Sequence, residues 1–349
     1  MKLACTLVVI VAIALPAHAG DVYRWVDGET VVYSDQPPQD GIVVTDMPGR
    51  QAFPVVTAQD VPDVTPAPHA AAPAPSPEPD VASVSTAPAT VDEILELSGM
   101  RPQLPGIVHA LGAEYLPRPG QLGERDGARV AQIVARQFVP ERMYAAIRDD
   151  VRRYVDANQL DAMAAWFRSR LGRKISALEI AASKSDAAPK IAAFAAALKA
   201  SPAKPARLEL VQRLDWVTGA SQDTTDLALA VAGSALRAAA AAAPADRRVR
   251  AGVVERGVDE MRGHMASTIA DGVLAQMLYV YEPLTDAELK AYVDFLASPP
   301  GRVYGRVTHG ALLRVVREVA DRTAVEIVRA VPPQRWATAQ KTAGATPTR

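Results

Sequence analysis

A chain of 349 residues, 49% of them hydrophobic, has material for about two domains plus connecting segments. Its 38 basic and 39 acidic residues leave a formal net charge of -1, which excludes any general attraction for nucleic acid or for an anionic membrane. Aromatic residues make up only 5%, and their scarcity beside abundant alanine favours helices over a large β-sandwich.

The chain opens on Met1-Lys2, followed by an apolar run from Leu3 to Leu15, a break at Pro16, and Ala17-His18-Ala19. A positive start, a short apolar run and small residues at the two positions a signal peptidase inspects form the signature of a secretory leader. The expected cut lies between Ala19 and Gly20, giving a signal peptide over 1–19 and a periplasmic or secreted product. A spanning helix needs about 20 apolar residues, and this run is shorter. The single cysteine, Cys5, lies inside the leader, ahead of the apolar run, where lipid attachment does not occur. The mature chain therefore has neither disulfides nor thiolate metal sites, and its stability rests on an ordinary core. No later stretch is long and apolar enough to span a bilayer, so no transmembrane segment is expected.

Residues 20–50 read as a small β module. Tyr23 and Trp25 alternate with Val22, Arg24 and Val26, Asp27-Gly28 supplies turn chemistry, and Val31-Val32-Tyr33 resumes an extended run. This is the pattern of a two-stranded ribbon. Pro37-Pro38 ends it, because consecutive prolines donate nothing to a ladder, and Ile42-Val43-Val44 offers a third short strand. The run Tyr23-Arg24-Trp25-Val26-Asp27, then Tyr33-Ser34-Asp35-Gln36-Pro37-Pro38, resembles a small domain of unknown function that follows the signal peptide of many proteobacterial envelope proteins. Its turn is one residue shorter than that family's usual pattern. The resemblance implies a location and an organisation and carries no reaction. Tyr23, Trp25, Tyr33 and Asp35 are the candidate binding residues, as a shallow platform for a glycan strand or peptide of the cell wall. The competing reading makes the aromatic rings the core of a module with few other core residues.

Residues 51–90 read as a Pro/Ala-rich linker. Proline recurs from Pro54 to Pro88, no basic residue lies between Arg50 and Arg101, and Asp60, Asp63, Glu78 and Asp80 are acidic. Such a stretch buries too little apolar surface to order itself and is expected to be disordered and extended.

From Val91 the chain is helical. Val130, Ile133, Val134 and Phe138 recur at helical steps, as do Ile147, Val151, Tyr154 and Val155. Leu208 to Ala243 runs nearly without breakers. The stretch from Asp246 to Tyr281 has apolar residues at Val249, Val253, Val254, Val258 and Met261. A further helix closes at Val331, and 332–349 reads as a disordered tail. Within this region Leu95-Glu96-Leu97-Ser98-Gly99 corresponds to Asp215-Trp216-Val217-Thr218-Gly219. In the same order, Leu160 to Ser169 and Gly172-Arg173 correspond to Leu289 to Ser298 and Gly301-Arg302. The fold class expected is thus mainly α: a duplicated helical domain, with copies over 91–200 and 205–331, preceded by the β-ribbon module and the linker.

The second copy, with Thr285-Asp286-Ala287-Glu288-Leu289, Tyr292, Phe295 to Pro299 and Gly301-Arg302, resembles a secreted all-helical domain of unknown function. The first copy keeps Ser169, Gly172 and Arg173 but has Arg170-Leu171 in place of the prolines. The structural residues singled out here are Thr285 and Glu288, at capping-box spacing; Leu289, on the buried face; and Ser298, Pro299 and Gly301, at a sharp break between helices.

Residues that carry chemistry are few. His69, His109, His264 and His309 are far apart and none has the spacing that puts two metal ligands on one helical face. They read as solvated or hydrogen-bonded helix residues, and no metal or cofactor is expected. Ser201-Pro202-Ala203-Lys204 fits the spacing of a lysine-activated serine but reads as a turn between the copies. Asp92-Glu93, Asp149-Asp150 and Asp259-Glu260 are adjacent pairs whose side chains diverge by about 100° on a helix, so they read as solvated faces. Arg152-Arg153 and Arg247-Arg248 are short basic clusters without interleaved aromatics. The function expected is a non-enzymatic binding or scaffolding module of the periplasm, with another envelope protein or a cell-wall component as partner and no nucleic acid. The alternative is an envelope hydrolase whose site no motif reveals. A pocket gathering His109, His264 or His309 with a carboxylate would favour the hydrolase, and an exposed groove would favour binding.

Overall fold

A computed structural model describes residues 88–244 and 249–336, and the backbone of 23–27 and 30–34. The leader, Asp35, the stretch 42–44, His69 with most of 51–90, Arg247-Arg248 and the tail after Trp336 lie outside the described residues. The described residues are mainly helical. The strands and the helices belong to separate compact units.

In the first unit the backbone of β1 (Tyr23–Asp27) pairs antiparallel with β2 (Thr30–Ser34). The register sets Trp25 opposite Val32, Tyr33 opposite Arg24 and Tyr23 opposite Ser34. Trp25 and Tyr33 therefore occupy different rungs of the ladder.

The helical unit begins with α1 (Val91–Leu97), α2 (Met100–Ala113), α3 (Glu124–Gln137) and α4 (Pro140–Tyr154), followed by α5 (Ala157–Phe167), α6 (Arg170–Ala182) and α7 (Ala187–Leu198). It continues with α8 (Pro205–Thr218), α9 (Ala220–Ala241), α10 (Ala251–Val280), α11 (Asp286–Ala297) and α12 (Pro299–Ala330). The breaks follow from local chemistry. Gly99 between α1 and α2 has φ 82°, and Gly219 between α8 and α9 has φ 72°, a left-handed backbone that suits glycine. The breaker-free reading of 208–243 is corrected here: α8 ends at Thr218 because Gly219 turns the chain.

The two junctions at α5/α6 and α11/α12 are built alike. Asp156 caps α5 with Gln159 in a reciprocal capping box, and Thr285 caps α11 with Glu288 in the same way. Ser169 caps α6 by accepting from the Gly172 N–H, and Ser298 caps α12 by accepting from the Gly301 N–H. A Cβ at Gly172 would collide with the carbonyl oxygen of Trp166, and one at Gly301 with that of Phe295. One constant spacing carries Asp156, Gln159, Ser169 and Gly172 onto Thr285, Glu288, Ser298 and Gly301.

Burial follows the helical periodicity with exceptions. Leu289, Tyr292, Val293 and Leu296 are buried on α11, and Asp294 is exposed and paired with Lys290. On α10, by contrast, Val253 is 45% exposed, and Val249 before it is exposed too; the start of α10 is covered on the Val254 side only.

Packing joins distant parts of the chain. Helix α12 lies against α9 and α11 and also against α3, α4 and α5, whereas α10 lies against α8 and α9 and also against α6 and α7. Between them Trp166 of α5 stacks on Phe295 of α11, ring centroids 4.4 Å apart and planes within 4°.

Candidate functional site

Three concavities follow one another along α12 where it meets α3 and α4. The first, about 460 Å³, is lined by Asp150, Tyr154, Arg306, Val307, Gly310, Ala311 and Arg314. The second, about 380 Å³, continues with Gln137, Arg142, Met143, Ala146, Val315, Glu318, Val319 and Arg322. The third, about 490 Å³, adds Arg125, Ala128, Arg129, Gln132, Ile133, Arg136, Glu326 and Ala330.

The concavities along this seam share residues of α12: Arg306, Gly310, Arg314, Glu318, Arg322, Glu326 and Ala330 recur every fourth residue and form a ridge that winds about 40° around the helix at each step. Val307, Ala311, Val315 and Val319 form the adjacent stripe, and all four are buried. From Arg306 to Ala330 the ridge runs about 36 Å at about 1.5 Å per residue. The concavities are thus edged by guanidinium groups and backed by apolar side chains that are already buried in the core.

Part of that charge is neutralised within the seam. Buried Asp150 accepts from Arg314 and, at 3.3 Å, from Arg153. Arg314 also donates to Glu318 at 2.8 Å. Glu326 accepts from Arg136 and, at 2.8 Å, from Gln137, and this bridge separates the second concavity from the third. Among the described residues, Arg125, Arg129, Arg142, Arg306 and Arg322 have no carboxylate partner. Their forked donors are suited to carboxylates and other planar or tetrahedral anions. No histidine, serine, threonine or lysine lines these concavities.

The groups with the most perturbed protonation are elsewhere, in the core. His309 of α12 and Asp223 of α9 are 3% and 5% exposed, with Nδ1 3.1 Å from Oδ2. The approach misses hydrogen-bond geometry, so both Asp223 oxygens and His309 Nε2 have no hydrogen-bond partner among the described residues. Burial, reinforced by the nearby carboxylates of Asp226 and Asp215, pushes Asp223 up to about 8. Burial likewise pushes His309 down to about 4, with Asp226 opposing the shift and Arg317 adding to it. At neutral pH the pair holds one proton and carries no net charge. Glu179 of α6 is also buried; it accepts from the hydroxyls of Tyr281 and Tyr292 at 2.8 Å each. Burial raises it to about 7 against the pull of those two bonds. Neither buried group reaches the seam.

These placements revise several sequence readings. His309 is not solvated, and its partner Asp223 was not singled out, since burial is what pairs them. His109 and His264 are exposed; His264 Nδ1 lies 2.7 Å from the Glu260 carbonyl oxygen of its own helix. The adjacent carboxylates are not all solvated faces. Asp150 is buried, Asp92 accepts from Tyr144 and Arg152, and Glu93 takes a two-pronged contact from Arg168, which lowers its pKa. Ser201 and Lys204 are exposed in the α7–α8 connection, and Lys204 precedes α8 with extended backbone, so no serine opens a helix there. Thr285, Glu288, Leu289, Ser298, Pro299 and Gly301 lie along α11 and at the start of α12, where they cap helix starts, fill the core or allow close backbone approach. Tyr23, Trp25 and Tyr33 lie on the strand pair.

No family model, no curated protein and no solved structure matches this chain.

Proposed function

We propose that this chain is an exported, non-catalytic binding or scaffolding protein of the cell envelope, and that the helical unit engages its partner along the α12 seam. The observation that carries the reading is the row of concavities along α12, edged by five guanidinium groups that have no carboxylate partner among the described residues. Acids three or four residues away on the same helix are natural partners for arginines. Along this ridge only Arg314 has one among the described residues.

The rest of the organisation belongs to the same proposal. The three-part leader supports export, and the resemblance of the two ends of the chain to exported families of unknown function supports an envelope location. A Pro/Ala-rich spacer joining a small β module to the helical unit would let two partners be held at high effective concentration. The β module, with Trp25 and its neighbours, is then the second contact point. The constant spacing of the two capping boxes and the two Ser–Gly junctions supports a duplicated helical domain. Trp166 and Phe295, whose rings stack, are related by the same spacing, which further supports a duplication.

The hydrolase alternative gains little. Its strongest requirement, a histidine beside a carboxylate, is met among the described residues only by His309 and Asp223, which are sealed in the core. Crosslinking in intact cells, followed by mass spectrometry of the captured partners, tests the binding reading. Specific adducts are expected with the wild-type chain and should disappear when Arg129 and Arg322 are both changed to Glu. An unchanged set of adducts in that variant would remove the seam from the function.

A further inference from the structure

The first concavity holds a side chain that packing leaves unexplained. Ile147, Val151 and Tyr154 share one stripe of α4. Ile147 and Val151 are buried, whereas Tyr154 is 69% exposed. Tyr154 lines the concavity of about 460 Å³ together with Arg306 and Gly310 of α12. A Cβ at Gly310 would meet nothing within 4 Å, so bare backbone leaves the space over that turn of α12 open. Arg306, one turn earlier, is exposed and has no carboxylate partner among the described residues. The other cation of the concavity, Arg314, is already engaged: it donates to buried Asp150 and, at 2.8 Å, to Glu318. The constant spacing that carries Ser169 onto Ser298 also carries Ala177 and Ala181 onto Arg306 and Gly310. Helix α6 thus does without the cation and without the bare turn, so neither is needed to hold such a helix in place.

A ligand for this place needs a flat-sided ring for Tyr154 and an anion for Arg306. Inorganic phosphate answers the guanidinium alone, and a neutral sugar answers the ring alone. An aromatic acid answers both, but small apolar ligands lodge where most of their surface is removed from water. The exposure of Tyr154 leaves one side of this site in solvent. A sugar ring stays hydrated there through its hydroxyls, lays its C–H face on the tyrosine, and presents a carboxylate to the forked donors of Arg306. We infer that the first concavity is a subsite for a carboxylated sugar, held by Tyr154 and Arg306, with the Asp150–Arg314 pair as its fixed wall. Its volume falls within the range of small-ligand sites, about 300–1,000 Å³. This inference rests on the binding function proposed above and names one carbohydrate contact within it.

The test titrates the chain from Gly20 onward with glucuronate and follows binding by saturation-transfer difference NMR. Saturable transfer to the sugar-ring protons is expected. Glucose, which lacks the carboxylate, should bind about ten-fold more weakly, as one charge-assisted contact is lost. Arg306→Gln and Tyr154→Ala should each weaken glucuronate binding by about the same factor. Tyr154→Phe, which keeps the ring, and Arg129→Gln, outside the concavity, should leave it unchanged, and circular dichroism would verify that each variant keeps its helices. Absence of saturable transfer, equal binding of glucose, tighter binding of benzoate or phosphate, or indifference to Arg306→Gln and Tyr154→Ala would each overturn the inference. If glucuronate fails while the cellular adducts still depend on Arg129 and Arg322, the sugar subsite falls and the binding function stands. If glucuronate binds as expected while the adducts are indifferent to those arginines, the subsite stands and the rest of the seam loses its partner.

Discussion

The pair of Asp223 and His309 shows how single residues set the response of the whole fold to pH. In the unfolded chain Asp223 loses its proton near its ordinary value and His309 near 6.5, so the two together hold no proton above that point. In the native core the pair keeps one proton up to about 8. The native state therefore binds more protons between about pH 6.5 and 8, and stability falls as pH rises through that window. Glu179, raised to about 7, contributes in the same direction from its ordinary value upward. The wild-type melting temperature should drop between pH 6.5 and 8.5, by an amount equivalent to about 1–2 kcal/mol from the pair. Asp223→Asn, which cannot ionise, should flatten most of that slope. A variant whose melting curve falls as steeply as wild type would mean that the buried acid is already ionised at neutral pH.

Elements are where the sequence is most readable. The cap of α11 is visible as Thr285 and Glu288 three residues apart, and the break before α12 as Ser298 followed by two prolines, because both are set by local chemistry. The buried face of α11 follows from the steps between Leu289, Tyr292, Val293 and Leu296. Leu289→Ala should then cost about 2–5 kcal/mol as a truncation in a closed core, whereas Asp294→Ala loses one exposed ion pair with Lys290 and should shift the melt little. Gly301→Ala should destabilise more than a surface change, since its Cβ meets backbone rather than a movable side chain. Equal shifts for Leu289 and Asp294 in thermal melts would contradict the packing described. What the sequence hides is whatever depends on a neighbour far along the chain. Nothing near His309 announces Asp223, and nothing near Asp150 announces Arg314. The exposure of Val253 is equally silent, because an apolar residue at a helical step tells which face it shares, not whether another helix covers that face. The concavities lay half in view: Arg306, Arg314 and Arg322 recur at eight-residue steps along α12, but their meaning depends on side chains of α3 and α4 that the fold brings alongside.

At the scale of the molecule, the helical unit is held together by exchange. Helix α12 closes over α3 and α4, and α10 closes over α6 and α7, so each half supplies the cover for the other. Tyr115, beyond α2, adds a tie by donating to the Ala320 carbonyl of α12 at 3.1 Å and sharing a short bond with Ser234 of α9. Such a unit should melt as one. Scanning calorimetry of the chain is expected to give a single transition for the helices, and segments 88–203 and 204–336 expressed apart should each lack a cooperative melt and regain one on mixing. Two separate transitions, or a cooperative melt in either segment alone, would show that the halves are self-sufficient.

The position of α12 at the end of the helical unit also sets an order of events. Met143 in the first half shares a concavity with Val315 and Val319, and Ile133 shares one with Glu326 and Ala330, so both meet α12 only when the last thirty or so residues of the unit are in place. A chain that emerges amino end first, during synthesis or passage through a narrow pore, must keep that apolar surface exposed until its final helix arrives. Contacts of such long reach form late and slowly. The interval before closure is when the nascent chain is most open to proteolysis and to strangers' surfaces.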